Sequence, residues 1–244
     1  MSVLKRKGHL VASITDGESE YSNFSEGFKK FVDGLNNEDI VPQTYKFESN
    51  IKNEGITIPS QIQYVAKGYD YKKLGYEFSG KMRVLKTILD YEYLMQKVRI
   101  EGGAYGSSSA ISDSGFVGFL SWFDPNLKGT LDVYDKAGEY LKDFNPDQKT
   151  MNGYIIRTIG NIDTSDDPKT LGMLSDLNYF RGITQEDLQK ERDEILSTTV
   201  EDIQGYSKMI TDIMNQNYFN VIGSDAAINK NKELFENIHP MLNN

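Results

Sequence analysis

The chain has 244 residues, 38% of them hydrophobic, and its 27 basic and 36 acidic side chains leave a net charge of -9. That is enough apolar content for one large domain or two small ones, and the acidic balance repels phosphate backbones, which argues against nucleic acid as a partner. The lack of any cysteine rules out disulfides, thiolate nucleophiles and thiolate metal sites, and it suits a reducing compartment, so a cytoplasmic protein is expected. No apolar run approaches the roughly 20 residues that cross a bilayer. The opening MSVLKRKG lacks the apolar stretch of a signal peptide, so no membrane association is expected. With 15 Tyr and 12 Phe the chain is rich in amphipathic rings of the kind that hold peptides or other chains.

In chain order, the β-branched stretch from His9 to Thr15, closed by Asp16-Gly17, predicts a strand. Phe24, Phe28, Phe31, Val32 and Leu35 at helical spacing predict an amphipathic helix over 19–35. An alternation that opens at Asn53 and continues through Ile62, Tyr64 and Ala66 predicts a strand over 61–67. Ser79 is placed to cap a long, mostly buried helix running to about Val98, with Met82, Leu85, Ile88, Leu89, Met95 and Val98 as its apolar surface. Residues 104–111 and 116–123, separated by Ser112-Asp-Ser-Gly115, predict a hairpin, and Asp124-Pro125 ends its second strand. Helices are expected over 131–141, 147–159, 184–196 and 200–214, the last preceded by Thr198-Thr-Val-Glu201 as a capping box. A short strand over 219–222 and a final helix complete the chain. Hairpin strands followed by runs of helices indicate the α+β class, with helices packed on an antiparallel sheet. One domain over 18–244 is expected, with residues 1–17 as a strand and linker belonging to a preceding domain.

A search for chemistry eliminates most options. His9 and His239 are the only histidines, and neither has a second His or a Cys at ligand spacing, so no metal site is expected within this chain. Asp163-Thr-Ser-Asp166-Asp167 lacks the glycine and terminal glutamate of a calcium loop and reads as a solvated turn before Pro168. Gly106-Ser-Ser-Ser-Ala110 is not a nucleophile elbow, and no nucleotide-binding glycine loop occurs. Glu191, Asp193 and Glu194 among Lys190 and Arg192 read as a charged helix face in water.

The segment Arg99-Ile-Glu-Gly-Gly-Ala-Tyr-Gly106 stands apart. Gly102 and Gly103 can end a helix in the left-handed conformation and let the chain enter a strand at once. Arg99 then lies on the last helical turn and Tyr105 at the start of the strand. Two readings stay open for that pair. One is capping and surface packing; in the other, a guanidinium holds a peptide carbonyl or carboxylate and a phenol donates to a developing oxyanion.

Four stretches carry a family resemblance: residues 53–68 (NEGITIPSQIQYVAKG), 97–106 (KVRIEGGAYG), 124–131 (DPNLKGTL) and 196–202 (LSTTVED). Through them the chain resembles, over nearly its whole length from His9 onward, the C-terminal domain of pitrilysin/insulinase-type zinc metallopeptidases of the presequence protease and falcilysin branch. The resemblance implies an α+β domain like that of mitochondrial processing peptidase. It implies a full-length enzyme of two halves closing around a peptide substrate, with zinc held by an inverted H-x-x-E-H motif in the N-terminal half. This chain has no such motif, so it is expected to be inactive alone, as the last of four domains and with the N-terminal half as partner. By position the resemblance gives Arg99 and Tyr105 the role of transition-state and substrate contacts, and Gly102, Gly103 and Ala104 that of the small-residue frame along the substrate. The family often has Tyr-Arg before the Asp-Pro pair; Trp122-Phe123 stands there instead, so no charged role passes to that strand end. A non-catalytic module that holds extended peptides, by strand addition to a sheet edge, is the alternative.

Overall fold

The computed structural model describes residues 10–35, 43–47, 52–163 and 167–241. The strands are β1 (Asn53–Ile58), β2 (Gln63–Asp70), β3 (Gly106–Ile111), β4 (Phe116–Asp124), β5 (Phe219–Ser224) and β6 (Asn237–Pro240). The helices are α1 (Glu18–Asp33), α2 (Lys81–Ile88), α3 (Lys128–Asp135), α4 (Ala137–Lys142), α5 (Gln148–Ile162), α6 (Pro168–Arg181), α7 (Gln185–Leu196), α8 (Val200–Asn215) and α9 (Asp225–Lys230). They fall into two compact units, one of Met1–Ser49 with Thr164–Asp187, the other of Asn50–Asp163 with Leu188–Asn244.

The larger unit is built on a six-stranded sheet in the order β3-β4-β2-β5-β1-β6. Pairing is antiparallel from β3 to β5, and β1 and β6 add in parallel, which refines the expected α+β class to a mixed sheet. Side chains alternate across it. Val65, Val117, Phe119 and Val221 are buried on one face, in a single core with Leu85, Ile88, Leu94, Tyr134, Ile203 and Ile210, each such side chain contributing about 1.5–3 kcal/mol by burial. On the opposite parity, Tyr64, Ala66, Leu120 and Asn220 stay exposed or half-buried and form the open face.

Two backbone groups on the outer edge of β3 are occupied. Asp90 Oδ1 accepts from the Ser109 N–H at 2.5 Å and from its Oγ at 2.7 Å, and Arg83 Nη1 donates to the Ile111 carbonyl at 3.5 Å. Glu191 and Glu194 of α7, read from the sequence as a solvated face, are half-buried instead. Glu191 pairs with Arg83 at 2.7 Å, and Glu194 accepts from the Gly80 N–H at 2.6 Å and from Ser79 Oγ at 2.9 Å. Gly80, not Ser79, is the N-cap of α2.

In the smaller unit α1 agrees with the expected helix, and neither α1 nor α6 contains a buried residue. The strand expected over 9–15 does not form among its described residues, since 10–17 are irregular; His9 lies outside the described residues. The helix expected over 131–141 is two helices that meet at Lys136. The capping box precedes α8 one residue later than expected, with Thr199 as N-cap and Asp202 as its partner.

Candidate functional site

The helix begun by α2 continues without a break as a π-helical segment, Leu89–Ile100. Its widened coil shows in the Glu101 N–H, which donates five residues back to the Gln96 carbonyl at 2.9 Å. Such segments are rare and gather at functional sites. The coil ends as the glycines predict. Gly103 has φ of +80°, and its N–H donates to the Arg99 carbonyl at 3.0 Å, while the Ala104 N–H reaches the Val98 carbonyl at 3.2 Å. This left-handed cap satisfies the last carbonyls of the helix. A Cβ on Gly102 would lie 2.5 Å from the Val98 oxygen, so that position also has room only for glycine.

A second loop holds the cap in place. Asn126 Nδ2 donates to the Gly102 carbonyl at 2.6 Å. Asn126 is itself fixed by Asp124, whose Oδ1 accepts from the Asn126 N–H at 2.9 Å. The other oxygen of Asp124, a fully buried residue, accepts from Ser121 Oγ at 2.6 Å and Thr130 Oγ1 at 2.7 Å. Charge-assisted bonds of this kind make a stiff node. The sequence marked Asp124 only as the end of a strand; its place in the motif at 124–131 was the sole signal of this supporting role.

Arg99 and Tyr105 sit on either side of the cap, and both are exposed. Lys97 binds Glu101 at 3.0 Å and Gln96 donates to the same carboxylate, which these two partners hold below the ordinary range. Arg99 is left out of that pairing; its recorded polar contact is Nη1 to Met95 Sδ at 3.6 Å. Tyr105 is 69% exposed, and its hydroxyl has no hydrogen-bond partner among the described residues. Its ring meets Phe123, which in turn lies 5.5 Å from Tyr64 on the open face. The two residues do not bond each other. What the arrangement offers is a guanidinium and a phenol beside a rigid backbone turn, both with donors to spare. Ala104 is buried and belongs to the core of the larger unit.

The zinc implied by the resemblance finds no ligand set here. Among the described residues, no three His, Cys, Asp or Glu side chains gather as they would around a metal. His239 faces Glu54, with Nδ1 at 3.7 Å from the carboxylate. No described helix is long and apolar enough to cross a membrane.

Residues 53–226 match the family profile described as the PreP C-terminal domain. Protein HypA of Clostridium perfringens is 41% identical over 236 residues, which is 97% of this chain and 24% of that protein. Presequence protease 1, chloroplastic/mitochondrial, of Arabidopsis thaliana is 35% identical over 241 residues, 96% of this chain and 22% of that one. The chain thus spans about a quarter of the length of these curated relatives. Among solved structures, a peptidase M16 inactive domain from Pseudomonas fluorescens superposes with a TM-score of 0.58 at 18% identity, covering 84% of this chain and 51% of its own. Pitrilysin does so with a TM-score of 0.57 at 14% identity, covering 92% of this chain and 24% of its own. These two likenesses concern the fold.

Proposed function

The chain belongs to the PreP C-terminal domain family, and on that footing we propose that it is the substrate-binding, catalysis-assisting C-terminal domain of a zinc-dependent endopeptidase that degrades oligopeptides. The metal centre belongs to another part of that enzyme, so the part played by this chain is contact with the substrate. Tyr105 donates its free hydroxyl to the peptide carbonyl oxygen as negative charge builds on it, and Arg99 holds a neighbouring carbonyl or carboxylate. Gly102, Gly103 and Ala104 keep side chains out of the way of the peptide backbone. One observation carries this reading: an exposed phenol with no hydrogen-bond partner among the described residues, and an exposed guanidinium held only by the Met95 sulfur, flank a turn that Asn126 and Asp124 make rigid. Preorganised donors of that kind lower a barrier because they need no rearrangement when the charge appears. The name of the Arabidopsis relative supports a peptide as substrate.

The test uses the full-length protein that carries this chain. Tyr105→Phe should lower kcat by about a hundredfold, the usual cost of losing one oxyanion donor, with KM little changed. Arg99→Ala should act chiefly on KM. An unaltered kcat in Tyr105→Phe would remove the proposed role. A module that only holds peptides, by strand addition, draws no support at the β3 edge, where Asp90 and Arg83 already engage Ser109 and Ile111.

A further inference from the structure

The open face of the sheet carries a feature that the glycine junction leaves unused. A groove of about 260 Å³ runs over β2, floored by Ala66 and Gly68. Sheet order sets its sides. Phe116 of β4 bounds it on one flank, and Asn220 of β5 and Glu54 of β1 lie on the other, with Tyr218 and Lys52 completing the lining. The Phe116 ring lies across bare backbone: a Cβ on Gly68 or Gly118 would come within 2.8 or 2.7 Å of its Cζ. Tyr218 is propped by Tyr69, ring centroids 5.0 Å apart, and Lys52 Nζ stands 5.0 Å from the Tyr218 centroid.

Glu54 and Asn220 in the groove have partners. Glu54 accepts from Asn220 Nδ2 at 3.0 Å and faces His239 on its other side. What remains is a shallow floor of the small Ala66, with Gly68 under the rim of the Phe116 ring, between two half-exposed aromatic rings. That surface is short of apolar contact, and its size suits one large side chain.

Its position connects it with Tyr105. Tyr64, Ala66 and Gly68 project onto the same face of β2, because alternate residues of a strand do. Tyr64 touches Phe123 at 5.5 Å, and Phe123 touches Tyr105 at 5.8 Å. The surface from the phenol to the groove is therefore continuous, across two rings and then along the strand. The leg along β2, from Tyr64 to Gly68, is about 13 Å at the rise of an extended chain.

We infer that this groove binds a large apolar, preferably aromatic, side chain of an extended peptide substrate, at a position about five residues from the bond that lies against Tyr105. The inference rests on the function proposed for the Arg99–Tyr105 junction and adds a specificity site to it. Phe116 and Tyr218 stack on the incoming ring, and the Lys52 ammonium lies within reach of its face.

Two peptide series assayed with the full-length protein decide the matter. One is truncated to three residues on each side of the cleaved bond. The other extends eight residues each way, with a single Phe walked through positions three to eight against a background of Gly and Ser. The expected result is a preference of about tenfold in kcat/KM for Phe at one position. Ala66→Leu, which fills the floor, and Tyr218→Ala, which removes a wall, should each cancel that preference, read as the ratio of extended to truncated kcat/KM. No preferred position, or a preference that survives both substitutions, overturns the inference. So does a parallel loss on both series with a lowered melting temperature in Ala66→Leu, which would mean that protein covers this face. In all these cases the effect of Tyr105→Phe on the truncated series still judges the junction separately.

Discussion

Tyr105 stands edge-on to Phe123, ring centroids 5.8 Å apart at an interplanar angle of 85°, and its backbone N–H donates to the Phe123 carbonyl at 3.3 Å. Phe123 achieves this with φ of +48°, a left-handed conformation that costs a bulky residue about 1–3 kcal/mol. The strained residue therefore steers the phenol. Phe123→Gly should relax the backbone while removing the ring, so the two effects on stability offset to within about 1 kcal/mol. Under the proposed function, turnover by the full-length protein should nevertheless drop about tenfold, as expected when a contributing group loses its alignment. Urea unfolding measured beside kcat separates the two effects; a large loss of stability with normal turnover would assign Phe123 to packing alone.

The glycine junction makes a graded prediction. Gly103 needs a positive φ, which Asn tolerates and β-branched residues do not, so the order of stability should be Gly103, then Gly103→Asn, then Gly103→Val. Gly102→Ala meets the Val98 backbone oxygen at 2.5 Å, and the end of the helix must shift, at a cost of about 1–3 kcal/mol. Denaturation midpoints of the variants give the order directly. A neutral Gly102→Ala would show that the cap has slack.

Asp202 sets an acid limit. Burial pushes its carboxyl up, but the Lys81 ammonium at 2.7 Å and the Thr199 N–H at 2.9 Å together bring it below the ordinary value. A carboxylate with a depressed folded-state pKa contributes stability that is present above its unfolded value, near 3.9, and is lost as pH falls through the folded value. Stability should therefore decline as pH drops below about 4. Asp202→Asn should flatten part of that decline and cost stability at neutral pH. Urea titrations at pH 7, 4.5 and 3 compare the two proteins, and parallel curves would rule out this contribution.

Much of this architecture was legible in the chain because its signals are local. The hairpin of β3 and β4 announces itself by alternation around Ser112–Gly115, and α8 by apolar residues at three- and four-residue steps. The alternation from Asn53 was read as the approach to the strand over 61–67 and not as the separate β1, and β6 escaped notice, since four to six residues give little periodicity and the parallel partners lie far away in sequence. The missed α6 has apolar residues on every side, so no face stands out, although Asp167 as N-cap, Pro168 and the left-handed Gly182 bracket it in the usual way. At the site, the glycine cap could be read from residue types alone. The π-helical widening before it, the turn of backbone at Phe123 and the buried Asp124 node could not, because residue types and periodicity mark neither a bond five residues back, nor a positive φ at Phe, nor a carboxylate turned inward among its near neighbours.

The occupied edge of β3 has a consequence beyond this domain's own fold. A sheet whose border N–H and C=O groups are free is a template on which further chains can stack into fibrils. Here Asp90 and Arg83 reach across from the adjacent helix and claim the groups at Ser109 and Ile111. On that flank the Ser109 N–H and the Ile111 carbonyl are therefore withheld from any strand of a neighbouring copy that would extend the lamella.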